Sequence, residues 1–301
     1  MRVLAALGGN ALIRRSQRAE AEVQRENIVV AASSLAALAR DHELVVTHGN
    51  GPQVGLLALQ SAAYHGTRPY PLDVLGAESE GMIGYMLEQA LLNELPRRNV
   101  ASLLTQVVVD RGDPAFEDPS KPIGPIYERA EAERLAAERG IAIAPDGDSF
   151  RRVVPSPEPR RIVELASIRI LLEAGVLVIC AGGGGVPVVE VDGGALEGVE
   201  AVIDKDLAAA LLARELGAEV LLLLTDVGAV QVGWGTPEAV ELRTATPERI
   251  RGLGLASGSM GPKAEAAARF AEGGGRAVIA ALDAAGEAIA GNAGTVIELA
   301  A

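Results

Sequence analysis

Cysteine is almost absent from this sequence. The single one, Cys180, excludes any internal disulfide framework. It lies in the apolar run VLVICA, where a buried structural thiol is expected rather than a nucleophile. Positive charge is also scarce: the net charge is −13, which argues against nucleic acid or an anionic membrane as a partner. An anionic small ligand would need a locally positive site. No apolar run is long enough to span a bilayer. The longest uncharged stretch, Gly175 to Val189, is short and rich in glycine. The N-terminal MRVLAALGGNALIRR looks like a leader, but GGN breaks its apolar part, so it reads as a first strand and loop. A soluble, cytoplasmic protein is the expectation. Familiar catalytic signatures are missing too. There is no nucleophile elbow, no metal-cage spacing and no GxxxxGK[ST] loop, and GGGG at 182–185 lacks a dinucleotide-binding context.

The most informative scarcity is lysine. Of 27 basic residues, all but Lys121, Lys205 and Lys263 are arginine. Ammonium is a compact charge on a flexible stem, and guanidinium is a rigid fork. A position that keeps lysine against this bias is a candidate for needing the former. Lys205 and Lys263 stand at expected helix starts, where the helix dipole disfavours a cation. A bound anion would resolve that conflict. For Lys205 the flanking Asp204 and Asp206 would do so as well.

What is present is an ordinary globular composition over 301 residues, 49% apolar and 22% charged. Apolar strands are expected at 2–7, 43–48, 100–110, 176–181, 219–226 and 276–282. They alternate with amphipathic helices over about 20–40, from Pro52, over 72–95 and from Lys205. This alternation predicts an α/β fold with a mostly parallel sheet covered on both faces. Residues 111–159 differ. They are rich in proline and turn formers around one amphipathic helix, YERAEAERLAAERG, and read as an inserted lobe or lid. A helix starting near Arg160 should then return to the sheet.

Glycine-rich turns follow three of the strands: GGN at 8–10, GNG at 49–51 and GGGG at 182–185. Ligands of such sheets bind at the carboxyl ends of the strands. Glycine allows tight turns, and it also lets backbone N–H groups approach an anion. Three such loops on one edge favour phosphate or carboxylate binding. No general base stands out. His42, His48 and His65 are the only histidines, and His48 beside GNG suits a hydrogen-bonded structural role better than catalysis. Lysines, glycine turns and a poor supply of bases suit phosphoryl transfer to an acceptor that is already an anion.

The motifs themselves carry a resemblance. LGGNAL (7–12), THGNGPQVG (47–55), PLDVLGAESEGMIGY (71–85), KPIGPIY (121–127), RRVVPSPEPRRIVE (151–164), CAGGGGVPV (180–188), GVEAVIDKDLAAALLA (198–213) and GSMGPKAEAA (258–267) resemble the carbamate kinases of the amino acid kinase superfamily. The likeness covers nearly the whole chain. It implies one domain over 1–301, a three-layer α/β/α sandwich with a protruding subdomain at 111–159, and a homodimer. It implies reversible transfer between ATP and carbamate, giving ADP and carbamoyl phosphate, with Mg²⁺, in arginine breakdown. Position by position it makes Lys121, Lys205, Lys263 and Asp206 catalytic, with Asp206 holding the lysines. Gly8, Gly9, Asn10, Gly49, Asn50 and Gly51 would donate to phosphate and carbamate oxygens, and Gly183 and Gly184 would border the acceptor pocket. Asp204, Asp226, Met260 and Gly261 would lie on the nucleotide side. The chain departs from the pattern at Gln231 and Trp234, after LTDV, and at Phe150. Ala6, where many amino acid kinases have lysine, fits carbamate kinases and weakens other small-molecule kinases of the superfamily. A non-catalytic nucleotide sensor of the same fold is the remaining alternative.

Overall fold

The computed structural model describes residues 1–13, 17–18, 20–255 and 260–300; the side chains of residues 10 and 11 lie outside that description. The expected side-chain role of Asn10, and Gly258 and Ser259 of the GSMGPK run, therefore fall outside the described residues.

Eight strands form the central sheet: β1 (Arg2–Leu7), β2 (Glu43–His48), β3 (Val100–Ser102), β4 (Leu177–Ile179), β5 (Val220–Thr225), β6 (Thr244–Ala245), β7 (Arg276–Ala281) and β8 (Thr295–Ile297). Their spatial order is β6-β8-β7-β5-β1-β2-β4-β3. Every neighbouring pair is parallel except β7 with β8. Parallel strands need covered crossovers, so both faces are buried. Along β1, Val3, Ala5 and Leu7 join one core and Leu4 and Ala6 the other. That is the two-residue alternation of a strand read against two apolar layers.

One layer holds α2 (Ala21–Asp41) and α4 (Leu72–Glu94). The opposite layer holds α6 (Leu165–Glu173), α7 (Lys205–Glu215), the short α8 (Pro247–Arg251) and α9 (Met260–Glu272). The short α1 (Gly9–Leu12) follows β1, and α3 (Gly51–Ala63) follows β2 with Pro52 in its first turn. This is the expected three-layer arrangement.

A separate antiparallel sheet of Lys121–Tyr127, Ser149–Val154 and Ile143–Asp146, with α5 (Arg129–Arg139), lies within the proline-rich insert. Its first strand rides on α3. A Cβ on Gly55 would lie 2.0 Å from the Gly124 Cα, so only glycine allows this approach.

Two expectations need correction. Residues 100–110 are not one strand. Val100–Ser102 belongs to the central sheet, whereas Gln106–Val108 pairs with Val186–Glu190 and Arg161–Ile162 in another sheet. The break comes at Thr105, whose hydroxyl turns back to the Leu103 carbonyl at 3.0 Å. Nor does a helix start near Arg160. The amides of Arg160 and Val163 donate to the carbonyls of Val108 and Gln106 at 2.8 and 3.0 Å, so this backbone is committed to the sheet and α6 begins at Leu165.

Candidate active site

The glycine turns follow β1, β2 and β4, which are adjacent strands, so the turns form one wall at the carboxyl edge. The first turns of α1, α3, α7 and α9 meet there. Gly9 opens α1, and a Cβ on it would lie 3.9 Å from Pro52 in the first turn of α3. A Cβ on Gly49 would stand 3.1 Å from the Gly9 amide nitrogen and 3.1 Å from Lys205 Cδ. Lys263, in the first turn of α9, reaches the first turn of α7 through Asp206.

Asp206 is the junction. Its Oδ1 accepts from Lys205 Nζ at 2.6 Å and its Oδ2 from Lys263 Nζ at 3.1 Å. Asp204 caps α7, its Oδ1 accepting from the amides of Asp206 and Leu207 at 2.9 and 3.2 Å. Its Oδ2 accepts from Lys121 Nζ, which arrives from the small lobe. The structure thus brings all three lysines onto two carboxylates two residues apart, and the offsetting of Lys205 by its flanking aspartates is also seen.

The charges are unevenly stabilised. Burial lowers the Lys205 pKa to about 8; Asp206 opposes the fall and the adjacent Lys263 ammonium adds to it. Lys263 is shifted upwards, because the Asp206 charge and hydrogen bond outweigh burial. Burial works against ionisation of Asp204, yet the ammonium groups of Lys121 and Lys205 hold its carboxyl well below the usual carboxylate range.

The glycines divide by role. Gly8 and Gly49, expected to donate to a ligand, have amides already bonded to Leu224 O at 2.9 Å and Leu7 O at 3.0 Å. What they supply is room: a Cβ on Gly8 would stand 2.9 Å from Leu224 O. Gly9 and Gly51 sit in helical first turns, whose N–H groups lack intrahelical partners. In the third turn Gly183 has φ +69°, and a Cβ there would fall 2.1 Å from Asn50 Nδ2. Gly184 likewise faces Ile203 O at 2.6 Å, and its amide is bonded to Ala181 O at 3.1 Å. Ala181, with φ +49°, is the only non-glycine residue of positive φ among the described residues.

Of the positions expected on the nucleotide side, Asp204 has both carboxylate oxygens engaged by the α7 amides and Lys121, so it serves the lysine cluster. Asp226 follows directly on β5 and accepts from Thr225 Oγ1 at 3.1 Å. Met260 and Gly261 begin α9; Met260 packs on the core and Gly261 lines a cleft of about 290 Å³. Trp234 is exposed.

His48 is fully buried, which lowers its pKa to about 4, and its Nδ1 stands 3.2 Å from Gly49 O. It is neutral and structural. Cys180 is buried and its thiol pKa is pushed up by that burial. The sequence reading missed Glu80 and Ser79 on α4, which bond to the glycine turns. A signal existed: both lie on the buried stripe of α4 with Leu72, Leu75, Ile83 and Leu87, where a carboxylate is out of place.

The sequence as a whole matches the family described as the amino acid kinase family over residues 1–281. The chain belongs to the amino acid kinase family. Among its relatives, the carbamate kinase of Haemophilus influenzae is 54% identical over 299 residues, covering 99% of this chain and 96% of that protein. The carbamate kinase of Giardia lamblia bound to citric acid superposes with a TM-score of 0.93 at 39% identity, covering 99% of this chain and 98% of the other. The same Giardia enzyme bound to AMP-PNP gives 0.88, again at 39% identity and the same coverage. Among the described residues, no helix of this amino acid kinase is long and apolar enough to cross a membrane.

Proposed function

We propose that this amino acid kinase is a carbamate kinase, which transfers a phosphoryl group reversibly between ATP and carbamate in the cytoplasm. The observation that carries the reading is the Asp206 bridge between Lys205 and Lys263, with Lys121 on Asp204 two residues away, against a wall of glycine turns. Curated relatives of nearly full length are carbamate kinases, which supports it.

In the direction of ATP formation, a terminal oxygen of ADP forms a bond to phosphorus as the bond from phosphorus to the carbamate oxygen breaks. The acceptor in either direction is an anion, so no proton need be removed, and positioning with charge cancellation suffices. Lys205 and Lys263 stand paired on one carboxylate, ready to exchange part of that contact for the oxygens of the moving group. Lys121 is the lysine carried by the small lobe, so the insert at 111–159 acts as a lid that brings charge to the site. Gly9 and Gly51 offer first-turn amides to the anions, and Gly183 and Gly184 shape the acceptor side. Asp226, Met260 and Gly261 remain the assignments for the nucleotide side.

Mg²⁺ accompanies the nucleotide in this reading and would neutralise its phosphate oxygens. Asp204 and Asp206 are occupied by lysines and amides. Among the described residues no cluster of three His, Cys, Asp or Glu side chains could hold an ion. This donor set fits a metal held by phosphates and water rather than by a protein cage. A homodimer is supported by α4, where Met82, Tyr85 and Leu92 form an exposed stripe at helical spacing, with exposed Leu104 beside Gly81.

The test is ATP formation from carbamoyl phosphate and ADP, with and without Mg²⁺, against other acyl phosphates. Mg²⁺-dependent turnover that prefers carbamoyl phosphate is expected. Efficient use of another acyl phosphate with none of carbamoyl phosphate overturns the assignment.

A further inference from the structure

The lysines explain how charge reaches the site, but not what keeps its glycine wall in register. Of the two turns after β2 and β4, the first has only Asn50 between its glycines and the second is glycine from 182 to 185, so their fixing must come from elsewhere. The second also carries strain at Ala181, which holds φ +49° although it has a Cβ. A strained turn persists only where its surroundings over-determine it.

The over-determining contacts come from two consecutive residues of α4. Glu80 Oε1 accepts from the Gly182 amide at 2.8 Å, and its Oε2 accepts from the Thr105 amide at 3.3 Å. Thr105 Oγ1 accepts in turn from the Ala181 amide at 2.9 Å. These bonds close a ring through α4, the break after β3 and the turn after β4. Ser79 completes a second link. Its Oγ accepts from Asn50 Nδ2 at 2.8 Å and donates to Gly76 O at 2.8 Å. Asn50 then lies where a Gly183 side chain would be, 2.1 Å from the Cβ position. Glu80 thus grips one turn directly, and Ser79 grips the other turn and presses it on the first.

The chemistry of Glu80 suits the task. Two N–H groups converge on its two oxygens, each of which keeps an acceptor lone pair whether or not the carboxyl is protonated; an amide in its place would set an NH₂ group, which cannot accept, against one donor. The arrangement is costly. Burial raises the Glu80 pKa to about 8, Gly182 and Thr105 oppose that rise, and the charge of Glu164 adds to it. Neutral His48 and buried Cys180 are its other titratable neighbours. A residue needed only to fill the core would be better apolar.

We propose that Glu80, with Ser79, is a positioning residue for phosphoryl transfer: it fixes the spacing of the 49–51 and 182–185 turns around the acceptor without touching the reacting atoms. The proposal rests on the phosphotransfer reading of the lysine cluster.

The experiment compares the full-length native enzyme with Glu80→Gln and Ser79→Ala. It uses two readouts, steady-state kinetics and amide hydrogen exchange of the segments 49–55 and 180–186. Misplacement of a reacting group by about 1 Å costs on the order of 100-fold. For folded Glu80→Gln, kcat should fall about 10- to 100-fold, with KM for ADP within about 3-fold of native. Exchange at 180–186 should be faster. Ser79→Ala should show a smaller loss of kcat, with faster exchange in both segments. The proposal is overturned if folded Glu80→Gln keeps kcat within about 2-fold, if lost activity only tracks the folded fraction, or if exchange at 180–186 is unchanged. Should Glu80→Gln fail to fold, Ser79→Ala decides by the same criteria. A native protein with no carbamoyl phosphate turnover refutes the function alone, and exchange still decides whether the clamp exists.

Discussion

Raising the pH should discharge Lys205 before Lys263. Its side chain is 11% exposed, and burial brings its pKa from 10.5 to about 8. At about 1.36 kcal/mol per unit, that difference is on the order of 3 kcal/mol against the buried charge. Below pH 8 the lysine is protonated both folded and unfolded, and the native state bears the full penalty. Between 8 and 10.5 the folded protein binds fewer protons than the unfolded chain, so this residue's contribution to stability rises with pH. Turnover runs the other way, because the moving phosphoryl group needs the ammonium. We expect kcat/KM for carbamoyl phosphate to fall about tenfold per unit above pH about 8. The corresponding limb of kcat should lie higher, since bound phosphoryl oxygens favour the charged form. The assay is the coupled ATP-formation rate from pH 6.5 to 10, with the coupling enzymes in excess throughout. Lys205→Arg supplies the control. Its guanidinium stays charged over this range but is too wide and rigid to follow the group in transfer. It should turn over about 100-fold more slowly, the loss of about 3 kcal/mol of transition-state stabilisation, without a limb near pH 8. A flat kcat/KM from pH 7 to 10 in the native enzyme, or the same limb in both proteins, would refute the reasoning.

Asp206→Asn leaves two buried ammonium groups without their shared charge. It should cost about 3 kcal/mol in urea unfolding at pH 7 and less at pH 9.5, where Lys205 has lost its proton; a cost under about 1 kcal/mol at pH 7 would count against the bridge. Gly55→Ala drives a methyl against the Gly124 backbone and pushes the small lobe off α3. Stability should drop by about 1–3 kcal/mol and kcat/KM should fall with the displacement of Lys121, so unchanged kinetics would detach the lobe from catalysis.

Much of this site was legible because a few constraints are local. GGN, GNG and GGGG terminate apolar runs, Pro52 opens a helix, and Asp204 caps the helix that begins at Lys205. What stayed hidden depends on partners distant in sequence. Nothing near residue 105 announces that the strand breaks there, because the acceptor of the Thr105 amide is Glu80. The backbone of 160–163 reads as helical until Gln106–Val108 claims its hydrogen bonds. Gly8 and Gly49 look like ligand donors until the parallel register gives their amides to Leu224 and Leu7.

The scarcity of lysine and the abundance of glycine, which look unrelated in the sequence, turn out to be one constraint. The aliphatic stem of Lys205 runs against Gly49, with Cδ and Cε 3.1 and 3.2 Å from where a Cβ would be. A side chain at 49 would displace the stem. Arginine at 205 would bring its planar head to the depth where lysine has only methylenes. A compact cation can pass the turn only if the turn is bare, and a bare turn is useful here only if the cation is compact. Each residue type is therefore explained by the other, and the Asp206 bridge sets the depth at which they meet.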